Sequence, residues 1–484
     1  MARREQQIEH LLRRAGFGGS PNEVDAYADL GLNATIDRLV NFEGVADDVD
    51  SHIGDAAYLG VVSRSGGAFN PRDNIDDARQ RWMFRMVHSK RPLQEKMALF
   101  WHNHFATGYS KINSTYESVV ATNMLASKTT EHPGGVRGQL ELFRQYALGN
   151  FRDMLVQVAK DPAMLVWLDG RLNVKNNPQE NFGRELMELF TLGLHYTEQD
   201  VYAAARVFTG WNLRVVGASG DPARHYEYIF NANQHETSAK TFSFQIYAGN
   251  NTTIPARAAT EQDGLDFINA VAAHPETGPR LARKLWGYFV SELIDPPDAW
   301  VTKIAGVYNS NNFEMRPVIR AILTSPEFQD SATYFSRYSW PAEYVARSVK
   351  EIGWAGFSID NALSPMVNMG QQLFEPPDVA GWSLGPDWFT TGAALARTNY
   401  AATLTRNQRV NLRNAARADV KSPQSLMAFV ADRVSSAPIG IDVYNEIVSY
   451  LGANAKWNGS DDELQAKVAG CMHLILGSAY YQFV

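Results

Sequence analysis

Pro92-Leu-Gln-Glu-Lys-Met-Ala-Leu-Phe-Trp-His-Asn-His-Phe105 is the stretch on which the fold class turns. Leu93, Met97, Phe100, Trp101 and His104 recur at the 3.6-residue period and line one stripe of a helix. Pro92 sits in the first turn, where its missing N–H costs nothing, and the pattern stops near Gly108. The same signature repeats outward in both directions. Upstream, Ile75 to Ser89 reads as an amphipathic helix, Ser20-Pro21 opens another that runs to Gly31, and 33–42 forms a third, with a Gly/Pro-bearing loop at 64–73. Downstream, helices are expected around 117–131, 137–147, 151–160, 178–192, 198–211, 257–273, 276–292, 297–309 and 315–324. Two or three more follow a Pro/Gly/Trp-rich stretch at 374–389. The reading is a mainly α protein, a multi-helix bundle or array.

One region departs from this. His225 to Phe230 and Thr241 to Tyr247 are aromatic-rich with partial alternation, separated by a polar stretch, and predict a single β-hairpin at about 224–247 inserted in the helical body. A division into an N-terminal half, 1–248, and a C-terminal half, 249–484, follows from the Gly/Asn/Thr/Pro joint at 249–255. The two are expected to form one compact unit. Ala321-Ile-Leu-Thr-Ser-Pro-Glu-Phe-Gln329 is echoed by Leu474-Ile-Leu-Gly-Ser-Ala-Tyr-Tyr-Gln482, each closing a run of helices.

Composition narrows the function classes. With 45% hydrophobic and 20% charged residues over 484 positions the chain has material for a large core and is not a disordered one. The net charge of −7 and the absence of a Lys/Arg run leave no footprint for phosphate backbones, so nucleic acid is not an expected partner. No stretch approaches the ~20 apolar residues of a membrane span. Met1 to Leu12 is charged and lacks the apolar middle of a signal peptide, so the chain as written is expected in the cytoplasm, or exported if a leader has been removed. The single cysteine, Cys471, excludes an intramolecular disulfide framework and Cys-rich metal sites, and its apolar neighbours suggest a core thiol.

Four sets of residues could carry chemistry. In Phe100–Phe105 the helical reading turns His102 and His104 to different sides, His104 into the apolar stripe and His102 towards Glu95 and Leu99. His104 then reads as a core histidine held by one hydrogen bond, or as a metal ligand if the helix frays. In Glu180 to Glu188, Asn181, Glu185 and Glu188 share one side, and Arg184 stands four residues from both Glu180 and Glu188, the spacing of ion pairs. Glu185 borders the apolar edge, where desolvation would raise its pKa and suit it to general-base work or metal ligation; routine surface ion pairs are the alternative. His235-Glu236 with Lys240 lies in the predicted hairpin connection. Trp211, Trp382 and Trp388 stand beside Gly and Pro as flat walls for a sugar, a ring or a partner side chain, or else as plugs of satellite core. No phosphate-binding Gly-Lys-Ser/Thr loop, His-Glu-x-x-His helix or Gly-x-Ser-x-Gly elbow occurs.

Phe100-Trp-His-Asn-His-Phe105 and Glu180-Asn-Phe-Gly-Arg-Glu-Leu-Met-Glu-Leu189, together with Leu11-Leu-Arg-Arg-Ala-Gly-Phe-Gly18, Ala205-Arg-Val-Phe-Thr-Gly-Trp211 and Leu373-Phe-Glu-Pro-Pro-Asp-Val-Ala-Gly-Trp382, resemble, in order along nearly the whole chain, the motifs of the domain of unknown function 1800 family. The resemblance implies a bacterial, largely helical protein without an established biochemical role, in a family with many exported members, some accompanying a second uncharacterised family. The matching motifs are rich in polar residues, which favours a site over a core.

Three functions compete. The first is a metal-dependent oxidising or hydrolysing enzyme, with His102 or His104, Glu185, Glu188 and His235 around iron, manganese or zinc between helices. The second is a metal-free enzyme acting on a glycan or similar polymer, with Glu185 or Glu188 as acid or base and the tryptophan loops as platform. Two carboxyls on one helix are an awkward source for a pair that glycosidases set ~5–9 Å apart. The third is a binding or scaffold protein that grips a partner protein through its Trp/Pro loops, its His/Glu/Arg set forming a buried network that fixes helix register. Converging His and Glu atoms would mark the metal site; an Arg184 satisfied by glutamates would mark the network.

Overall fold

A computed structural model describes residues 3–434, 437–452 and 460–484. Among them are twenty-three α-helices and two small antiparallel two-stranded sheets, so the protein is mainly α with a small hairpin. Local signals set many helix starts. Ser20 and Glu23 form a reciprocal capping box for Pro21–Leu30, Asn74 caps Ile75–His88, and Pro92 occupies the first turn of Pro92–His104.

Two helices form the centre. In Pro92–His104 all residues but Asn103 are buried, and Pro341–Ile352 is buried along its whole length. The apolar stripe read from the sequence is therefore one side of a helix covered all round, and its charged residues are paired. Arg144 Nε donates to Glu95 at 2.7 Å, and Lys96 pairs with Glu343, which also takes Arg337 Nη1 at 2.7 Å and the Trp340 N–H at 2.9 Å. Burial raises the Glu343 carboxyl, but Arg337 and Lys96 outweigh it and hold the group at about 2. Lys96 and Glu343 stand on either side of the 248/249 boundary, as do Phe151 N–H and the Phe313 carbonyl, 2.9 Å apart.

Two helices relax into π-turns at their ends. Asn181–Glu185 continues as Leu186–Phe190 and Thr277–Leu285 as Trp286–Val290. A π-turn shifts the i→i−4 ladder and frees carbonyls for other donors.

The hairpin differs from its prediction. His225–Phe230 pairs not with 241–247 but with Trp211–Val216, from Trp211 opposite Phe230 to Val216 opposite His225. The helix expected over 198–211 ends at Val207, freeing that strand. Lys240–Thr241 instead pairs with Thr253–Ile254. The alternation at 242–246 is real: Phe242, Phe244 and Ile246 are buried, and both phenylalanine rings lie against Phe267. Period two reports which face is buried, not which strand is the partner. After 389 there are four described helices, Thr391–Ala416, Pro423–Arg433, Ile441–Gly452 and Asp461–Gly477, rather than two or three.

The sequence echo has a matching geometry. Gln329 Nε2 donates to the Leu323 carbonyl at 2.9 Å, and Gln482 Nε2 to the Leu476 carbonyl at 2.8 Å. The equivalent carbonyls of Phe328 and Tyr481 are taken by side chains of other helices, His10 and Arg347. Cys471 is buried 3.9 Å from Met427 Sδ, and burial pushes its thiol up to about 12. No helix among the described residues is long and apolar enough to cross a membrane.

Candidate functional site

The three polar residues of Trp101-His-Asn-His-Phe105 each grip another motif. His102 is 1% exposed, and its Nε2 accepts the Phe374 N–H at 3.1 Å, which places the ring proton on Nδ1. Burial alone lowers its pKa to about 3, so the ring is neutral. Asn103, which the sequence reading passed over, reads the backbone of Trp382 twice. Its Oδ1 accepts the N–H at 2.6 Å and its Nδ2 donates to the carbonyl at 3.3 Å. A Cβ on Gly381 would stand 2.3 Å from Asn103 Oδ1, and Gly381 has φ of +84°, so only glycine permits this approach. His104 turns the other way. Its Nε2–H donates to the Phe190 carbonyl at 3.0 Å, and its Nδ1 faces Lys284 Nζ at 3.1 Å. Lys284 also donates to the Leu189 carbonyl at 3.1 Å, so the π-turn's freed carbonyls are held from two other helices. His104 is buried with two polar partners, where the core reading expected one.

Burial, then the neighbouring Arg280, depresses the Lys284 ammonium to about 7, and among the described residues its hydrogen-bond partners are His104 and the Leu189 carbonyl. Glu185 and Glu188 are half-buried on the adjoining helix. Burial, then Glu188, raises the Glu185 carboxyl, with Arg184 opposing. Glu188 accepts the Tyr196 hydroxyl. Arg184 does not bridge to Glu188: it forks onto Glu198 with two bonds of 2.9 Å and reaches Glu180 at 3.3 Å. Asn181 is exposed and donates to Asp169 at 3.3 Å. This side of the motif is thus a set of surface pairs, with Glu185 at its inner edge.

His235 and Lys240 meet on a residue that the sequence did not single out. Asp263, 1% exposed, accepts Lys240 Nζ at 2.6 Å, Arg257 Nε at 2.6 Å and faces His235 Nε2 at 3.2 Å. His235 Nδ1 donates to the Thr209 carbonyl at 2.7 Å, so both ring nitrogens face acceptors. Burial would raise the Asp263 carboxyl, but the hydrogen bonds from His235, Lys240 and Arg257 hold it at about 2. Glu236 points elsewhere, to Arg206 at 2.7 Å. Lys240, expected from the sequence as a substrate contact, is fully buried within this network.

The tryptophans read as a platform or as plugs of satellite core are all buried. Trp211, Trp382 and Trp388 are 1%, 5% and 4% exposed. Gly264 makes room for Trp211, whose ring a Cβ there would approach to 2.3 Å. Trp382 packs on His102 at 5.5 Å and Trp388 on Trp340 at 5.8 Å between ring centroids. Burying an indole repays more than exposing it, so the loops close over the core.

His102, His104 and His235 therefore stand in three separate environments. Among the described residues no group of three or more His, Cys, Asp or Glu side chains converges so as to hold a metal ion. Asn103 and Asp263 were invisible because a polar residue between two histidines, or at the start of a helix, carries no signal of what it meets across the fold.

No curated protein matches the chain, and no solved structure matches it. A family model described as Protein of unknown function (DUF1800) matches residues 10–483, nearly the whole length, and the chain belongs to that family.

Proposed function

We propose that this protein works by binding, and that its polar motifs are latches that fix the helices around a ligand or partner. One observation carries the reading: the consecutive side chains His102, Asn103 and His104 spend their hydrogen bonds on Phe374, Trp382 and Phe190, backbone groups of the two other polar motifs. A latch of this kind sets register, because a slip by one residue would leave buried donors unpaired.

The test is elemental analysis of untagged protein together with thermal unfolding, with and without a chelator or added zinc, manganese or ferrous iron. A binding protein with polar latches has no stoichiometric metal and unfolds at one temperature throughout, while His102→Ala lowers that temperature. Stoichiometric metal that vanishes in a folded His104→Ala/Glu185→Ala variant would overturn the reading in favour of a metal-dependent enzyme.

A second reading, an amine-dependent enzyme, is favoured by Lys284. An amine near neutrality carries the lone pair that attacks a carbonyl, and the Phe190 carbonyl fixes the His104 tautomer that orients it. Acetic anhydride pulses across pH, read by peptide mass spectrometry, would give half-maximal labelling of Lys284 near pH 7. A profile that tracks the exposed lysines would remove this reading.

A further inference from the structure

Between Arg3–Ala15, Pro21–Leu30, Pro341–Ile352 and Pro423–Arg433 lies a cavity of about 210 Å³, smaller than the ~300 Å³ at which drug-sized sites begin. Glu351 lines it and is 1% exposed. One of its oxygens accepts the Tyr481 hydroxyl at 2.7 Å. The other, Oε1, has no hydrogen-bond partner among the described residues. Arg347 Nε is 3.9 Å away, beyond hydrogen-bond range, and the other guanidinium nitrogens of Arg347 are committed to the carbonyls of Phe483 and Tyr481. A buried carboxylate oxygen left without a donor is costly, and the cost falls when a donor arrives. Glu351 is also the penultimate residue of its helix, where the last carbonyls favour a cation nearby.

The rest of the lining has matching chemistry. Glu5, Glu9, Asp25 and Asp432 add four carboxylates against two guanidiniums, Arg13 and Arg433. Phe429 offers a ring face, over which the Arg433 guanidinium already sits at 5.9 Å. Val24 gives an apolar wall. Because no three acidic or imidazole groups converge among the described residues, the lining suits an organic cation better than an inorganic ion.

We propose that this cavity binds a small organic cation, a primary ammonium or guanidinium on a short apolar stem, with Glu351 as its counter-ion. The proposal rests on the binding reading above and names its ligand class. Burial, with a smaller push from the Glu9 carboxylate, moves the Glu351 carboxyl to about 7 against the opposing pull of Arg347, Tyr481 and Arg13; these groups face it from its own helix, the C-terminal turn and the first helix. A cation must displace that proton, so affinity rises with pH through neutrality.

The experiment is calorimetric titration of the full chain with n-butylammonium, n-butanol and butyrate at low salt. Saturable one-to-one binding of n-butylammonium is expected, at least tenfold tighter than n-butanol and weakening about tenfold from pH 8 to pH 6. Glu351→Gln should lose both the affinity and its pH dependence. Since Glu351 also holds Tyr481, Val24→Trp provides a second variant that fills the cavity and leaves that bond alone; it should lose binding too. No binding to the parent protein, or binding that survives both substitutions, overturns the proposal. Butanol or butyrate bound in the parent and lost in Val24→Trp overturns the cation assignment while the binding reading stands. Failure of the binding reading itself shows in the metal analysis, independently of this titration.

Discussion

Asp263→Asn tests the latch idea where its energetics are most exposed. The carboxylate answers Lys240, which is fully buried, and faces His235 and Arg257. An amide of the same shape keeps one acceptor but turns an N–H₂ towards donors and leaves the Lys240 charge buried without its counter-ion. Removing one partner of such a group costs about 3–5 kcal/mol, a large share of the ~5–15 kcal/mol that holds a typical protein folded. A carboxyl held at about 2 in the fold, against an ordinary 3.8, contributes about 2 kcal/mol of pH-dependent stability. The sign follows from the depressed value: the contribution is fully present above pH 4 to 5 and fades as pH falls towards 2. The gap between parent and variant should therefore narrow by about 1 kcal/mol at pH 3 and about 2 kcal/mol at pH 2. Urea unfolding followed by tryptophan fluorescence measures it, and Lys240→Met supplies the cycle, with a coupling of about 1–3 kcal/mol to Asp263→Asn. A folded Asp263→Asn protein within ~1 kcal/mol of the parent at pH 7, or a gap that stays constant with pH, would refute the argument.

Three other outcomes follow from the same geometry. His102→Ala removes the acceptor of the Phe374 N–H and leaves a void beside Trp82 and Trp382, at a cost of about 2–4 kcal/mol, and limited proteolysis should speed up first within 373–389. Gly381→Ala forces a Cβ onto Asn103 at a left-handed φ and should cost about 2–4 kcal/mol in chemical unfolding; Asn103→Ala in the same chain should recover part of it. Arg280→Met takes away one of the two causes that depress Lys284, so the midpoint of its acylation profile should move upward from about pH 7.

Much of the frame was legible in the sequence because its signals are local. The Ser20–Glu23 box, the Pro92 start and the 3.6-residue stripes act within a few residues, and helices arose where they pointed. For Glu185 the sequence offered either a carboxyl raised by desolvation at the apolar edge or a routine surface ion pair; in the fold it is half-buried and raised by burial and Glu188. The hairpin shows where locality ends. The alternation at 242–246 correctly announced a buried face, but strand partners are chosen by contacts across the chain, and Trp211–Val216 won the pairing.

The sequence by itself determined a mainly α fold, the family, and a set of polar motifs too specific to be filler. The tertiary structure decided what those motifs do. Whether a histidine keeps a free nitrogen depends on the backbone that arrives opposite it, and for His102, His104 and His235 that partner lies 272, 86 and 26 residues away. Whether a tryptophan is a wall or a plug depends on the space a distant glycine leaves for it, as Gly264 does for Trp211. The Glu351 oxygen that has no partner among the described residues is left so because four helices meet around it. Hydrogen bonding and desolvation act through distances of a few ångströms in space, and a linear sequence does not record those distances.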